Sequence, residues 1–232
     1  MERISKREIS LSNSHHHHEW SGMHAQKFVQ SVEKLIKYRY KPFVKEIINA
    51  ISKYGVRETP KIVDVGSGPG ILLIEIKKIF ENCRLIGVDS SKSMLEIAEN
   101  RVKEQNLKGF VFKLGSAEKI PIEEGQIDVV VCLNSLHDFN DAQQTIKEVS
   151  RILINGGLFI LKDKNGAYPK WKMRFFFIPL IFKTGLKRTI KYFKSNKLWL
   201  DPDQVIHWMS EFGIRREEVH YKMDYLIIGK RE

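Results

Sequence analysis

The sequence predicts an α/β fold: a doubly wound, mostly parallel sheet of seven strands, with a helix ahead of it and a large insertion near its end. Three observations predict it. Residues 61–70, KIVDVGSGPG, read as a strand and a tight glycine loop, and Leu72, Leu73, Ile76, Ile79 and Phe80 follow at helical spacing. Short apolar runs then alternate with amphipathic segments, the pattern of right-handed crossovers in a parallel sheet covered on both faces. The chain has 232 residues, 42% of them hydrophobic and 29% charged, which suffices for one such core.

Taken in order, residues 1–25 read as an irregular polar segment containing His15, His16, His17 and His18, with Trp20 and Met23 as its apolar members. A histidine run without spacing defines no coordination geometry, so no metal site is assigned to it. Residues 26–53 read as helical, with Phe28, Val32, Leu35, Ile36, Val44, Ile47, Ile48 and Ile51 on one face and Pro42 as a break or kink. Strands are predicted over 61–65, 84–88, 109–114, 127–133 and 156–162. Helices are predicted over 70–81, 92–105 and 141–153, the last of them ended by Gly156-Gly157. A further helix over 201–212 has Asp201 as its cap, Pro202 in its first turn and Gly213 after it. Two strands, near 214–220 and 223–229, complete the seven.

The glycine loop is built for close approach. Glycines let the chain turn sharply and bring backbone near a ligand, and the following helix start offers unpaired N–H groups. The spacing is GxGxG, where a dinucleotide loop has GxGxxG. Asp64, two residues before Gly66, repels a pyrophosphate and suits a cationic amino group. The second strand, LIGVD, ends in Asp89, which can accept hydrogen bonds from both hydroxyls of a ribose.

On these residues the chain resembles the class I S-adenosylmethionine-dependent methyltransferases, of the methyltransferase-11 type. The resemblance covers roughly residues 60–163. It implies a Rossmann-like sheet ending in an antiparallel hairpin, S-adenosyl-L-methionine as cofactor and S-adenosyl-L-homocysteine as product. It places Asp64 at the methionine ammonium, Gly66, Ser67, Gly68, Gly70 and Ser90 along the cofactor, and Asp89 at the ribose. Ser116 and Ala117, in the loop Gly-Ser-Ala-Glu, fall at the adenine, where relatives commonly carry Asp in place of Ser116. Asn134 ends the fourth strand at the same crevice. The stretch CLNSLHDF at 132–139 narrows the resemblance to the branch that includes ubiquinone and menaquinone methyltransferases. His137 is the candidate base, its ordinary pKa of about 6.5 suiting proton removal. Asp138 is its candidate orienting or substrate-binding partner.

The chain then divides into an N-terminal segment and cap helix (1–55), a cofactor-binding core (56–163), a basic aromatic insertion (164–200) and a C-terminal helix with strands completing the core (201–232). The insertion holds ten Lys or Arg and no Asp or Glu, and so carries ten of the eleven net positive charges. It also holds the run RFFFIPLIF at 174–182. Relatives use such insertions as lids, which points to a small-molecule or lipid-like, anionic acceptor and to peripheral membrane contact. The alternative is an RNA methyltransferase whose basic insertion binds phosphates, with aromatics stacking on bases; the apolar run argues against a phosphate track. A cofactor-binding protein that has lost activity and serves in an assembly is a third reading. Cys83 and Cys132 lack metal-ligand spacing and read as buried thiols. No apolar run approaches the roughly 18 residues that cross a bilayer, and no secretory signal precedes the fold, so a cytoplasmic location is expected.

Overall fold

Seven strands form one sheet in the order β3-β2-β1-β4-β5-β7-β6. They are β1 (Lys61–Val65), β2 (Arg84–Asp89), β3 (Phe110–Leu114), β4 (Ile127–Leu133), β5 (Leu153–Lys164), β6 (Ile214–Tyr221) and β7 (Asp224–Arg231). The computed structural model describes residues 29–30, 33–34, 36–169, 171–172 and 199–232. The histidine run, Trp20, Met23, the run at 174–182 and most of the basic insertion lie outside the described residues. β1 to β5 pair in parallel, and β7 runs antiparallel between β5 and β6. The order reverses between β1 and β4, so a crevice opens at the C-terminal ends of these strands.

Period-two alternation sends successive side chains of the central strands to opposite faces. Ile62, Leu85, Val129, Val131, Leu158 and Ile160 meet Phe43, Val44 and Ile47 of α1 (Lys41–Lys53) and Leu72, Leu73 and Ile76 of α2 (Ile71–Lys77). On the other face Val63, Val65, Val130, Phe159 and Leu161 meet Ile146, Val149 and Ile152 of α4 (Ala142–Ile152) and Val205 and Met209 of α5 (Pro202–Glu211). α3 (Lys92–Glu104) lies beside β2 and β3 and starts at Ser91, whose hydroxyl accepts the Met94 N–H. Asp201 caps α5 through the Asp203 N–H, with Pro202 at the first helical position, as expected. Cys83 and Cys132 are both buried. Among the described residues no helix is long and apolar enough to cross a membrane.

The structure refines one expectation and corrects two. The break expected at Pro42 takes the form of a π-helical turn over Ile36–Tyr40 followed by the start of α1, with Pro42 in the first turn of α1, where its missing N–H costs nothing. α2 has seven residues, shorter than the predicted 70–81. Beyond Lys77, Ile79 is 55% exposed while Phe80 still packs against the core, and the Ile79 and Phe80 N–H groups both fold back onto the Ile76 carbonyl. Gly156-Gly157 does not end α4; the helix stops at Ile152 and both glycines lie inside β5. There the pairing with β4 slips, from Ile127 opposite Leu153 to Val129 opposite Leu158. Gly156 has a φ of +81°, and a Cβ on Gly157 would meet the Ile154 and Asp128 carbonyl oxygens at 2.9 and 3.1 Å. Only glycine fits that bulge.

Candidate functional site

The ends of β1, β2 and β4 bring Asp64, Asp89 and Asn134 to one crevice. Asp64 is 3% exposed, and no described donor bonds its carboxylate. Burial, with Asp89 adding like charge, pushes its pKa up to about 8. Tyr40, at the end of the π-turn, lies close enough to feel Asp64; its hydroxyl is pushed up to about 12, chiefly by burial.

Asp89 is held differently. Its Oδ2 accepts the Gly68 N–H at 2.8 Å and its Oδ1 the Ser91 N–H at 2.8 Å. Burial raises its pKa, and these two bonds oppose the rise. The acid therefore ties the glycine loop to the start of α3. Two buried polar atoms at the crevice have no partner, Ser67 Oγ and Asn134 Oδ1. Asn134 adopts a left-handed φ of 50°, an uncommon conformation that asparagine tolerates better than most residues. Its N–H donates to the Lys162 carbonyl.

The three glycines of the loop do different jobs. A Cβ on Gly68 meets nothing within 4 Å, so this residue faces open space. A Cβ on Gly66 would meet the Ser135 side chain at 2.7 Å and Phe139 at 3.0 Å, and one on Gly70 would meet Ala98 at 2.9 Å. Gly66 and Gly70 thus answer to packing inside the protein. α2, with under two full turns after the loop, contributes little dipole. Ser90 is exposed beside Asp89. Ser116 turns away from the crevice chemistry: its hydroxyl pairs with Glu118, whose other oxygen accepts the Asn140 and Asp141 N–H groups. Ala117 is buried against the core.

His137 sits in the short helical turn after β4. Its Nδ1 lies 2.5 Å from Asp163 Oδ1, and its N–H donates to Asp163 Oδ2 at 3.1 Å. Asp138 Oδ1 is 3.6 Å from Nε2, outside hydrogen-bond range. Burial lowers the imidazole pKa, but the hydrogen bond and charge of Asp163 outweigh it, and the net shift is upward. Sequence reasoning missed Asp163. Its predicted strand, 156–162, stopped one residue short, although the C-terminal end of a strand is where site residues collect. Nothing in the sequence signalled Tyr40.

An unpartnered carboxylate, a second acid, an orphan hydroxyl and an orphan amide oxygen fit a ligand bearing an ammonium group and paired hydroxyls. Residues 63–161 match the family of methyltransferase domains. The match covers under half of the chain, which over these residues is similar to methyltransferase domains. An uncharacterized methyltransferase, YcgJ of Bacillus subtilis, is 31% identical over 107 residues, 46% of this chain and 42% of that protein. The demethylmenaquinone methyltransferase of Thermotoga maritima is 25% identical over 73% of this chain and 77% of its own length. The chain thus spans from two-fifths to three-quarters of these curated relatives. A solved S-adenosylmethionine-dependent methyltransferase from Aquifex aeolicus shares the fold, superposing with a TM-score of 0.65 at 14% identity and covering 88% of this chain and 96% of that one. The matched methyltransferase domain ends within β5, so the insertion, α5, β6 and β7 lie beyond it.

Proposed function

We propose that the protein transfers the methyl group of S-adenosylmethionine to a small-molecule or lipid-like, anionic acceptor. The observation that carries the cofactor reading is Asp64, a buried carboxylate with no described donor, placed where a cation would replace its missing partner. In this reading Asp64 faces the ammonium of the methionine moiety. Asp89 accepts from the ribose hydroxyls with the lone pairs that Gly68 and Ser91 leave open, and Ser67 Oγ and Asn134 Oδ1 find partners along the same ligand. The cofactor supplies an electrophilic methyl group on a sulfonium; the chain supplies alignment and proton removal. Ser116, engaged with Glu118, reads adenine only by releasing that bond. His137 stands at the crevice as the base, and Asp138, with its exposed side chain, is free to meet the acceptor.

The acceptor reading rests on composition. The insertion joins ten cationic residues to an apolar run, a combination suited to an anionic, partly apolar acceptor or an acidic lipid surface. Its cationic excess also favours the RNA reading, which predicts tight binding with a steep salt dependence. Weak RNA binding with a shallow slope removes that alternative.

The cofactor test is calorimetry. S-adenosylhomocysteine is expected to bind with micromolar affinity and NAD not at all. Asp89→Ala is expected to weaken binding by about 1.5–3 kcal/mol, the worth of hydrogen bonds to a charged acceptor. Unchanged affinity in that variant overturns the placement of the ribose. A screen of acceptors with tritiated S-adenosylmethionine then identifies the second substrate.

A further inference from the structure

Asp163 ends β5 and is fully buried, at 0% exposure. Three donors converge on its carboxylate. Oδ2 accepts the His137 N–H, and Oδ1 accepts the Lys164 N–H at 2.7 Å besides lying 2.5 Å from His137 Nδ1. The Lys164 amine does not neutralise it, because that amine pairs with Asp224. A carboxylate oxygen can only accept, so the ring nitrogen facing it must carry the proton. The second nitrogen, Nε2, has no hydrogen bond among the described residues; its nearest charged neighbour is Asp138 at 3.6 Å.

We propose that Asp163 is a positioning residue that holds His137 as the Nδ1–H tautomer, leaving the Nε2 lone pair as the proton acceptor at the crevice. The role rests on the methyl-transfer reading; the tautomer does not. Two bonds fix the residue, one to the ring and one to the backbone N–H, so both the ring's plane and the turn that carries it are set by one side chain. When Nε2 takes a proton from the acceptor, the electron pair of the broken bond stays on the acceptor, which becomes the nucleophile for the methyl group. The imidazolium that forms keeps its bond to Asp163. The pair is useful only to an acceptor atom that carries a proton, a hydroxyl or an N–H, since a thioether or a tertiary amine has none to lose. Its titration is set by Asp138 on its own turn, by Asp163 and Lys164 from β5, and more remotely by Cys132 of β4 and by Asp224 and Tyr225 of β7, which face Asp163 or Lys164.

The test is nitrogen NMR of the histidine rings in the whole protein, with the His137 signal identified by its loss in His137→Gln. Above its titration the wild-type ring is expected to show a protonated Nδ1 and a bare Nε2. Asp163→Asn is expected to move the titration midpoint to lower pH. A wild-type ring protonated at Nε2, or a midpoint unmoved in a folded Asp163→Asn variant, overturns the proposal; should that variant fail to fold, the wild-type tautomer decides. The methyl-transfer reading fails separately. A protein with the Nδ1–H ring that does not bind S-adenosylhomocysteine in calorimetry sinks that reading and keeps the tautomer. One that binds it with an Nε2–H ring keeps that reading and sinks the pair.

Discussion

Asp64 links the crevice to solution pH. Its pKa is about 8 in the folded protein against an ordinary 3.8. Between these values the unfolded chain is ionised there and the folded chain is protonated, so folding takes up a proton. The stability this group contributes is fully present below about pH 4 and is lost as pH rises through about 8. The melting temperature of the ligand-free protein is expected to fall across that window, and Asp64→Asn to flatten the fall. A cationic ligand reverses the sign, because it favours the ionised acid. Near pH 7 its binding should release a proton, seen as a binding heat that changes between buffers of different ionisation enthalpy. The loop glycines give a second contrast. Gly66→Ala places a Cβ against Ser135 and Phe139 at a positive φ, and should lower stability by about 1–3 kcal/mol. Gly68→Val enters open space; it strains a φ of +50° but should chiefly abolish ligand binding. Equal losses of binding and stability in the two variants would contradict this division.

At the scale of elements, the crossover from β3 to β4 has no helix between residues 115 and 126. It leaves Val111 of β3 half-exposed beside a groove lined by Ile86, Ile120 and Ile122. Polar fastening takes the place of a helix. Arg151 of α4 donates to the Ile122 and Ile120 carbonyls at 2.9 and 3.1 Å, and Glu148 accepts the Ile120 N–H at 2.9 Å. Arg151 and Glu148 also pair with each other at 2.7 Å. Arg151→Ala leaves the Ile122 carbonyl without its donor, while the Ile120 carbonyl keeps the Ile122 N–H, and should destabilise the protein by about 1–3 kcal/mol. Urea unfolding measures the loss, and hydrogen exchange should place its local part in residues 115–126. Protection unchanged there would mean that the loop is held by apolar contacts alone.

At the scale of the whole molecule, the described ends of the basic insertion meet. The Gly166 N–H donates to the Leu200 carbonyl at 2.9 Å, and a Cβ on Gly166 would meet the Trp199 carbonyl oxygen at 2.3 Å. The chain leaves the sheet and returns at one point, so the core does not need the insertion to connect β5 with α5. Joining a chain across a short gap costs little loop entropy. Deleting residues 168–194 and bridging the ends is therefore expected to leave S-adenosylhomocysteine binding measurable by calorimetry and to remove methyl transfer. A truncated protein that methylates its acceptor at the full rate would show that the insertion is not the acceptor lid.

Local patterning was enough for much of this protein. β4 falls on its predicted 127–133 and β1 on 61–65, because an apolar run bounded by turn residues is a local signal. The glycine loop and both acids were legible for the same reason, each being tied to a strand end. Tertiary structure decided the rest. α2 stops at Lys77 although apolar residues continue to Phe80, and Ser116 spends its hydroxyl on a glutamate two residues away in a turn the sequence does not specify. Gly66 and Gly68 are alike in sequence, yet one is walled in by the loop after β4 and the other is open. His137 and Asp163 stand 26 residues apart and meet only because β4 and β5 are neighbours. A hydrophobic period is written along the chain, whereas a contact between strand ends depends on the order in which strands pair, which no local pattern carries.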